Sequence, residues 1–549
     1  MSQSTTLTHR FIARYLIETQ TPLGVGAGTT GLENERMVAL DANGLPYIPG
    51  TGITGVLRHM LEASLKDEET INKLFGYQSD KENDGQGSLL TVSPACLVDL
   101  EGSKVIEGII PQEDADRLKQ TFQLLLERDH VRINDRGVAV KYGKFAEKLV
   151  FKGTRFVFEI GLSGVEEDEH FFQALMKAIE SKSFRLGAGT RNGFGAFCIE
   201  NRKSRMYDLR QSADFDAYLA KTSSLNDHFA GAEEKTSFED DLNDDLKKNW
   251  TTYKLNLTPE KYFIFGSGDL EYNYDEANWL DNFSKKEKII EWEEGKGELS
   301  YEPYHIIPGT SVKGALAHRT AYHYNRLTKT TVKFTLNQNE KPNLSFDIEK
   351  ALQEFDLEVE VAKMNYASNS PDWEEWIQKV KSWSVEDSPL WRDYVSDIEG
   401  EKSEKIAVKE ATGESNEAVK QLFGFAKREK EKEEKKEEDT KPEGARGKVI
   451  IQDVYLKPGN TTEKDITHVS IDRFTGGAKE GALFDEKVVS HKDELTIEIM
   501  VEKDGLKDPK IKEAFELAIK DLCKGALPLG GNTAKGHGVF VGDYQTKIV

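Results

Sequence analysis

Apolar and polar residues alternate along RFIARYLIE (10–18), the period-2 pattern of a strand with one buried face. Short apolar runs at SLLTV (88–92) and RFVFEIGL (155–162) read as further strands, and GFGAFCIE (193–200) closes the set. Between the first two runs, TGITGVLRHMLEASL (51–65) is a helix entered through Pro-Gly. Phe172, Leu175, Met176 and Ile179 mark one face of a second core helix, and PQEDADRLKQTFQLLLER (111–128) reads as an inserted one. The order strand, helix, strand, strand, helix, strand then recurs downstream. It runs through YKLNL, a helix over 310–326, KVIIQD, LTIEIMV, a helix opened by Asp508-Pro509, and GVFVGDY. Asp before Pro places an N-cap acceptor ahead of a residue that needs no N–H partner. This order is the ferredoxin-like pattern, the framework also used by RNA-recognition sheets, so the expected fold is α+β with two tandem ferredoxin-like domains.

Four motifs repeat in the same order and carry the duplication. YIPGTGITGVLRHMLE (47–62) is echoed by HIIPGTSVKGALAHRTA (305–321), and KLFGY (73–77) by QLFGF (421–425). HVRINDRGVAVKYGKFAEKLV (130–150) parallels HVSIDRFTGGAKEGALFDEKVV (468–489), and LGAGTRNGFGAF (186–197) parallels LGGNTAKGHGVF (529–540). The offset between copies grows from 259 at the Pro-Gly motif to 348 at the LFG motif, so the second copy carries an insertion of 89 residues over 328–416. The expected domains are 1–200 and 251–549, joined by an acidic linker over 201–250. A mixed-charge run at 427–448 has no apolar stripe and reads as a solvated loop.

The net charge of −22 over 549 residues argues against a protein that coats nucleic acid by bulk charge, while leaving room for a local basic groove. No apolar run reaches the ~18 residues of a membrane span, and the amino terminus has no apolar block of the signal-peptide kind. The three cysteines, Cys96, Cys198 and Cys523, lie far apart without a CxxC pair, which points away from a disulfide scaffold and toward a reducing cytoplasm.

Two motifs offer chemistry. A Pro-Gly-Thr entry puts free N–H groups and the positive dipole end of a helix beside small hydroxyls, an arrangement that suits phosphate. The first copy offers Thr51, Thr54 and Arg58 there, and the second Thr310, Ser311 and Lys313, with His318 and Arg319 further along the helix. The loop LGxxTxxGxG permits close backbone approach, either to a phosphate or to a neighbouring element, with Arg191, Lys535 and His537 adding positive charge. It has no Walker lysine and precedes a strand, so neither a P-loop nor a dinucleotide fingerprint fits.

Together these segments resemble the RAMP superfamily, the ferredoxin-like proteins of CRISPR effector complexes. IIPGTSVKGAL (306–316) and GLPYIPGTGITGVLRHMLE (44–62) resemble the helix-opening motif of type III backbone subunits. The two glycine loops resemble the family's carboxy-terminal loop, and IDRFTGGAKEGALFDEKVV its β-hairpin thumb. The pairing of two copies in one chain looks like a fused double subunit of a type III-D-like effector. The resemblance implies binding of a guide RNA, displacement of nucleotides by a thumb tip that includes Arg473 and Phe474, and contact with complementary target RNA and other effector subunits. It also implies cleavage of the target by a carboxylate in the loop before the Pro-Gly helix, with Mg2+ or another divalent metal nearby. In the first copy that loop offers Glu33 and Glu35, with Asp41 in an ordinary turn; in the second it offers Asp269, Asp275 and Asp281. Two other readings stay open: a structural RNA-binding subunit with both sites inactive, and a guide-processing endonuclease.

Overall fold

The computed structural model describes residues 7–30, 36–78, 85–122, 125–133, 139–238, 249–267, 271–273, 278–280, 282–328, 413–426 and 444–548. The chain divides into two compact units, one of Met1–Leu316, Arg446–Lys507 and Ala518–Val549, the other of Ala317–Ala445 and Asp508–Leu517.

The first unit holds both copies' sheets. In the first copy the core elements are β1 (His9–Thr19), α1 (Gly50–Leu65), β2 (Leu90–Val92), β3 (Arg155–Gly164), α2 (Glu169–Ile179) and β4 (Phe197–Asp208). The strands lie antiparallel in the order β4-β1-β3-β2, with Tyr15 opposite both Phe158 and Arg202. The second copy repeats this with β5 (Trp250–Pro259), α3 (Gly309–Thr328), β6 (Val449–Ile451), β7 (Leu495–Glu502), α4 (Pro509–Cys523) and β8 (Phe540–Ile548), in the order β8-β5-β7-β6. Both sheets therefore have the ferredoxin-like order, and the expected α+β duplication stands.

The alternation along β1 explains its place. Phe11, Ala13, Tyr15 and Ile17 turn toward the helices and join Leu57, Phe172 and Leu175 in one core. Each large apolar side chain buried this way contributes roughly 1.5–3 kcal/mol. The opposite face of β1 is also covered. Ile12 packs with Tyr207 and Phe229, and Leu16 packs against the cluster of Val98, Val105, Val157 and Leu225. Arg14 donates to Glu159 at 2.9 Å and to the carbonyls of Ser224, Leu225 and Asp227 at 3.1, 3.0 and 2.7 Å.

The expected linker is thus corrected over its first 38 residues. Residues 201–208 complete β4, Ser212–Ala220 is a helix, and 221–232 lie across the sheet before Glu233–Lys235 adds an edge strand. The acidic average of the segment hid two apolar anchors, Leu225 and Phe229. The inserted helix is also shorter than expected. It ends at Phe122, and Leu126–Ile133 is already a strand.

Each copy carries a long two-stranded hairpin, Leu126–Ile133 with Ala139–Leu149 and Thr461–Ile471 with Ala478–His491. They stand where the sequence placed the expected thumbs, and the name is kept for them. In the second unit, Asn416 caps the helix Glu417–Phe423 by accepting from the N–H groups of Ala418 and Val419 at 3.0 and 3.4 Å. Phe423 packs on Phe515 at 6.2 Å between ring centroids. Asp508 accepts from the Lys510 N–H at 2.8 Å, which is the cap its sequence predicted. Of the expected insertion over 328–416, residues 329–412 lie outside the described residues, as do 427–443 of the charged run over 427–448.

Candidate nucleic-acid interface

The Pro-Gly helix starts are shaped first by packing. A Cβ on Gly50 would lie 2.5 Å from the Val92 carbonyl oxygen, and one on Gly309 would lie 2.3 Å from that of Ile451. Glycine lets each helix begin against the end of the second strand of its sheet. Thr51 and Ser311 are exposed on the first turns and Thr310 is half-buried. Thr54 donates back to the Gly50 carbonyl at 2.8 Å. Arg58 clamps α1 to the next helix, donating to the Gly76 carbonyl and to Asn72 at 3.0 Å each, and it also pairs with Glu62. His318 is exposed, and Arg319 stacks over Tyr322 at 4.9 Å.

The glycine loops show the same priority. A Cβ on Gly195 or Gly538 would fall 1.8 Å from the carbonyl oxygen of Leu186 or Leu529. Gly195 donates to the Pro22 carbonyl at 3.0 Å, and Gly538 donates to that of Tyr262 at 2.8 Å. Each loop is thus pinned to the residues that follow the first strand of its own copy. The choice left open by the sequence falls to backbone packing for these glycines.

Two of the expected RNA-contacting cations, Arg191 and Lys313, join the two copies. Arg191, in the first glycine loop, pairs with Glu502 and lies 5.4 Å from the Trp250 ring centre. Lys313 donates to the Arg191 carbonyl at 2.9 Å, and burial, then the Arg191 charge, lower its pKa to about 8. Beside them sits a buried network that the sequence reading did not find. Arg128 at the base of the first thumb makes two bonds to Glu287, at 2.6 and 2.7 Å, and one to Asp453 at 2.7 Å. Asp453 also accepts the Gly309 N–H at 2.8 Å, so a carboxylate already occupies the start of α3. Tyr455 donates to Glu287 at 3.0 Å.

The thumb bases are duplicated in chemistry as well as in fold. His130 stacks on Phe145 at 4.9 Å and lies 3.6 Å from buried Glu147; His468 stacks on Phe484 at 5.0 Å and lies 3.0 Å from buried Glu486. In the second copy Lys535 and Asn532 donate to Glu486 at 2.7 and 2.6 Å, and His537 lies 3.9 Å from it. Burial alone would raise the Glu486 pKa, but Lys535 and His468 outweigh it and hold it below the usual value. The signal was present as the shared His and Phe-x-Glu of the two thumb sequences. At the second tip, Asp472 accepts from the N–H groups of Phe474 and Thr475, which leaves the Phe474 side chain 97% exposed beside exposed Arg473.

The expected catalytic carboxylates Glu35, Asp269, Asp275 and Asp281, and Glu33 with them, lie outside the described residues. Their flanks return to equivalent places. Arg36 pairs in parallel with Glu147, and Asn282 pairs in parallel with Glu486. Among the described residues, Glu18, Cys198 and Glu200 approach within 4.8 Å of one another. This cluster does not suit a hard divalent ion. Arg155 holds Glu18 at 3.0 Å and Glu200 at 3.6 Å, while burial, then Glu200, push the Cys198 thiol up to about 12. No described helix is long and apolar enough to cross a membrane.

A sequence model of the RAMP superfamily matches residues 16–198 and 298–541. No curated protein matches the chain. Among solved structures, a chain of the type III-B Cmr-beta cryo-EM structure in its apo state is 16% identical, over 34% of this chain and 96% of that one, at a TM-score of 0.26.

Proposed function

The chain belongs to the RAMP superfamily, and on that premise we propose that it is a backbone subunit of a type III CRISPR ribonucleoprotein, holding guide RNA and cutting guide-paired target RNA. The observation that carries this reading is the return of both loops to the thumb base. Arg36 and Asn282, the residues that follow Glu35 and Asp281 in sequence, pair opposite Glu147 and Glu486 at the foot of each thumb. A thumb that splays a nucleotide at its base would bring the adjoining 2′-hydroxyl toward that loop. A loop carboxylate then takes the 2′-hydroxyl proton, the oxygen attacks the adjacent phosphorus to form a 2′,3′-cyclic phosphate, and the P–O5′ bond breaks, the leaving 5′-oxygen taking a proton from water. One of Asp269, Asp275 and Asp281 would be that carboxylate, and Mg2+ or another divalent ion nearby would supply positive charge for the departing oxygen. The aspartates favour the second copy. The first copy's glutamates have a longer reach, and misplacement near 1 Å can cost ~10²-fold.

A second reading is a guide-binding scaffold without cleavage. Its structural half is supported by Arg191 and Lys313, which join the two copies, and by glycines whose conformations serve packing. One experiment separates the two. The assembled complex is given end-labelled complementary RNA, with and without magnesium, in wild type and in the Asp269→Ala, Asp275→Ala, Asp281→Ala triple variant. Loss of one magnesium-dependent product, with target affinity kept within about threefold, supports cleavage by the second copy. An unchanged product pattern assigns the chain to the scaffold.

A further inference from the structure

At the base of the second thumb, the two oxygens of buried Glu486 have different neighbours. Oε1 accepts from Asn532 at 2.6 Å and from Lys535 at 2.7 Å. Oε2 faces two imidazoles, His468 Nε2 at 3.0 Å and His537 Nε2 at 3.9 Å. An ionised carboxylate only accepts, so the His468 nitrogen turned toward it carries a proton. The ring's second nitrogen, Nδ1, is then the one whose proton can come and go. The His468 side chain is 26% exposed although its Nε2 is buried.

The first thumb repeats the His and the Glu but not their surroundings. His130 meets Phe194 edge-on at 6.0 Å, and its side chain is 11% exposed. The glycine-loop repeat aligns Phe194 with His537 and Asn192 with Lys535. An apolar ring and an amide of the first copy are thus basic groups around the carboxylate of the second. Stacking on Phe145 or Phe484 beside a buried glutamate occurs in both copies, so it does not account for the added lysine and histidine.

The sheet puts this cluster beside the loop. Asn282–Phe283, which follows the loop of Asp269, Asp275 and Asp281, runs alongside Glu486 and Lys487, and the next strand carries His468 opposite Phe484. Two strand spacings, about 10 Å, separate the end of the loop from the His468 backbone. A ribose phosphate between them has a loop on one side and an imidazole on the other.

We propose that His468 is the proton donor for the cut made by the second copy. Its imidazolium gives the Nδ1 proton to the water that serves the leaving 5′-oxygen, and that water gives a proton to the oxygen as the P–O5′ bond breaks. The ring is left neutral, the loop carboxylate holds the 2′-hydroxyl proton, and exchange with solvent restores both. Glu486 is a positioning residue that holds the ring by Nε2, and Lys535 offsets its charge. The inference rests on the cleavage reading above and deepens it, because that reading names a base and no residue as acid.

The test compares two targets in the assembled complex under single-turnover conditions. One is ordinary RNA; the other carries sulfur in place of the 5′-oxygen at the second-copy cut. A thiolate departs without a proton, so the sulfur target needs no acid. His468→Gln keeps an N–H for Glu486 and removes the titrating nitrogen. The ordinary target should be cut at least about 10²-fold more slowly by this variant. The sulfur target should be cut within about threefold of wild type, with the affinity for both targets and the thermal unfolding temperature unchanged. Equal slowing on both targets, in His468→Gln and His468→Asn alike, makes the ring a structural piece and overturns the donor. Unchanged cutting of the ordinary target overturns it as well. In both cases the wild-type cut remains and the cleavage reading stands, whereas a wild-type complex that cuts neither target removes that reading and the donor with it.

Discussion

Arg128 and Glu287, 159 positions apart in sequence, form a two-pronged ion pair at 2.6 and 2.7 Å with side chains only 4% and 1% exposed. The pair ties the foot of the first thumb to the second copy, and Asp453 extends it to the first turn of α3. Burial works against the arginine's charge, but Asp453 and Glu287 more than compensate and raise its pKa.

Removing one partner strands the others. Arg128→Ala should destabilise the first compact unit by about 3–5 kcal/mol, because two buried carboxylates lose their counter-charge. Urea unfolding checks this. A triple variant, Arg128→Met with Glu287→Gln and Asp453→Asn, should recover at least about half of the loss, since no unpaired charge remains. Equal stability of the single and triple variants would show that shape, not charge, holds the joint.

Lys313 gives the joint a dependence on alkaline pH. Its pKa falls from 10.5 to about 8 on folding, so between these values the unfolded chain binds more protons than the folded one. Stability contributed by this group therefore rises with pH from about 8 to 10.5. Thermal unfolding of wild type and Lys313→Met at stepped pH should show wild type gaining on the variant across that window. A constant gap between the two would contradict the shift.

Two glycines in one loop should respond differently to the same change. Gly538→Ala drives a methyl to 1.8 Å from the Leu529 carbonyl oxygen at a φ of +74°, so the loop must move and the variant should lose several kcal/mol or fail to fold. Gly536→Ala, at a φ of +84° with nothing within 4 Å, meets only backbone strain of about 1–2 kcal/mol. Denaturant midpoints compare them directly.

Arg14 fastens the segment over the first sheet. Arg14→Ala removes its hydrogen bonds to Ser224, Leu225, Asp227 and Glu159 and should cost about 2–3 kcal/mol. It should also speed protease cutting within 221–232, which mass mapping of the fragments would locate. Unchanged cutting would mean that Leu225 and Phe229 alone hold the segment.

Local pattern made much of the fold legible. The alternation in 10–18 and the Asp508-Pro509 start need only neighbouring residues, and the structure has both. The repeat carried the rest, because two copies of one strand order allow each to check the other. The site was legible in motif but not in role. Gly50, Gly195, Gly309 and Gly538 stand where the motifs put them, yet each is required by a carbonyl oxygen from elsewhere in its own copy.

By itself, the sequence determined the two ferredoxin-like copies, their thumbs and the family, since periodicity and repeated motifs are local properties of the chain. Only the tertiary structure decided that Arg58, Arg191 and Lys313 face protein partners, that 221–232 closes the first sheet, and that Arg128 reaches Glu287. A cation's type and spacing do not reveal whether water, phosphate or a carboxylate 159 residues away will neutralise it. That choice depends on which surfaces folding buries together, because a charge removed from water must take whatever partner the packing brings.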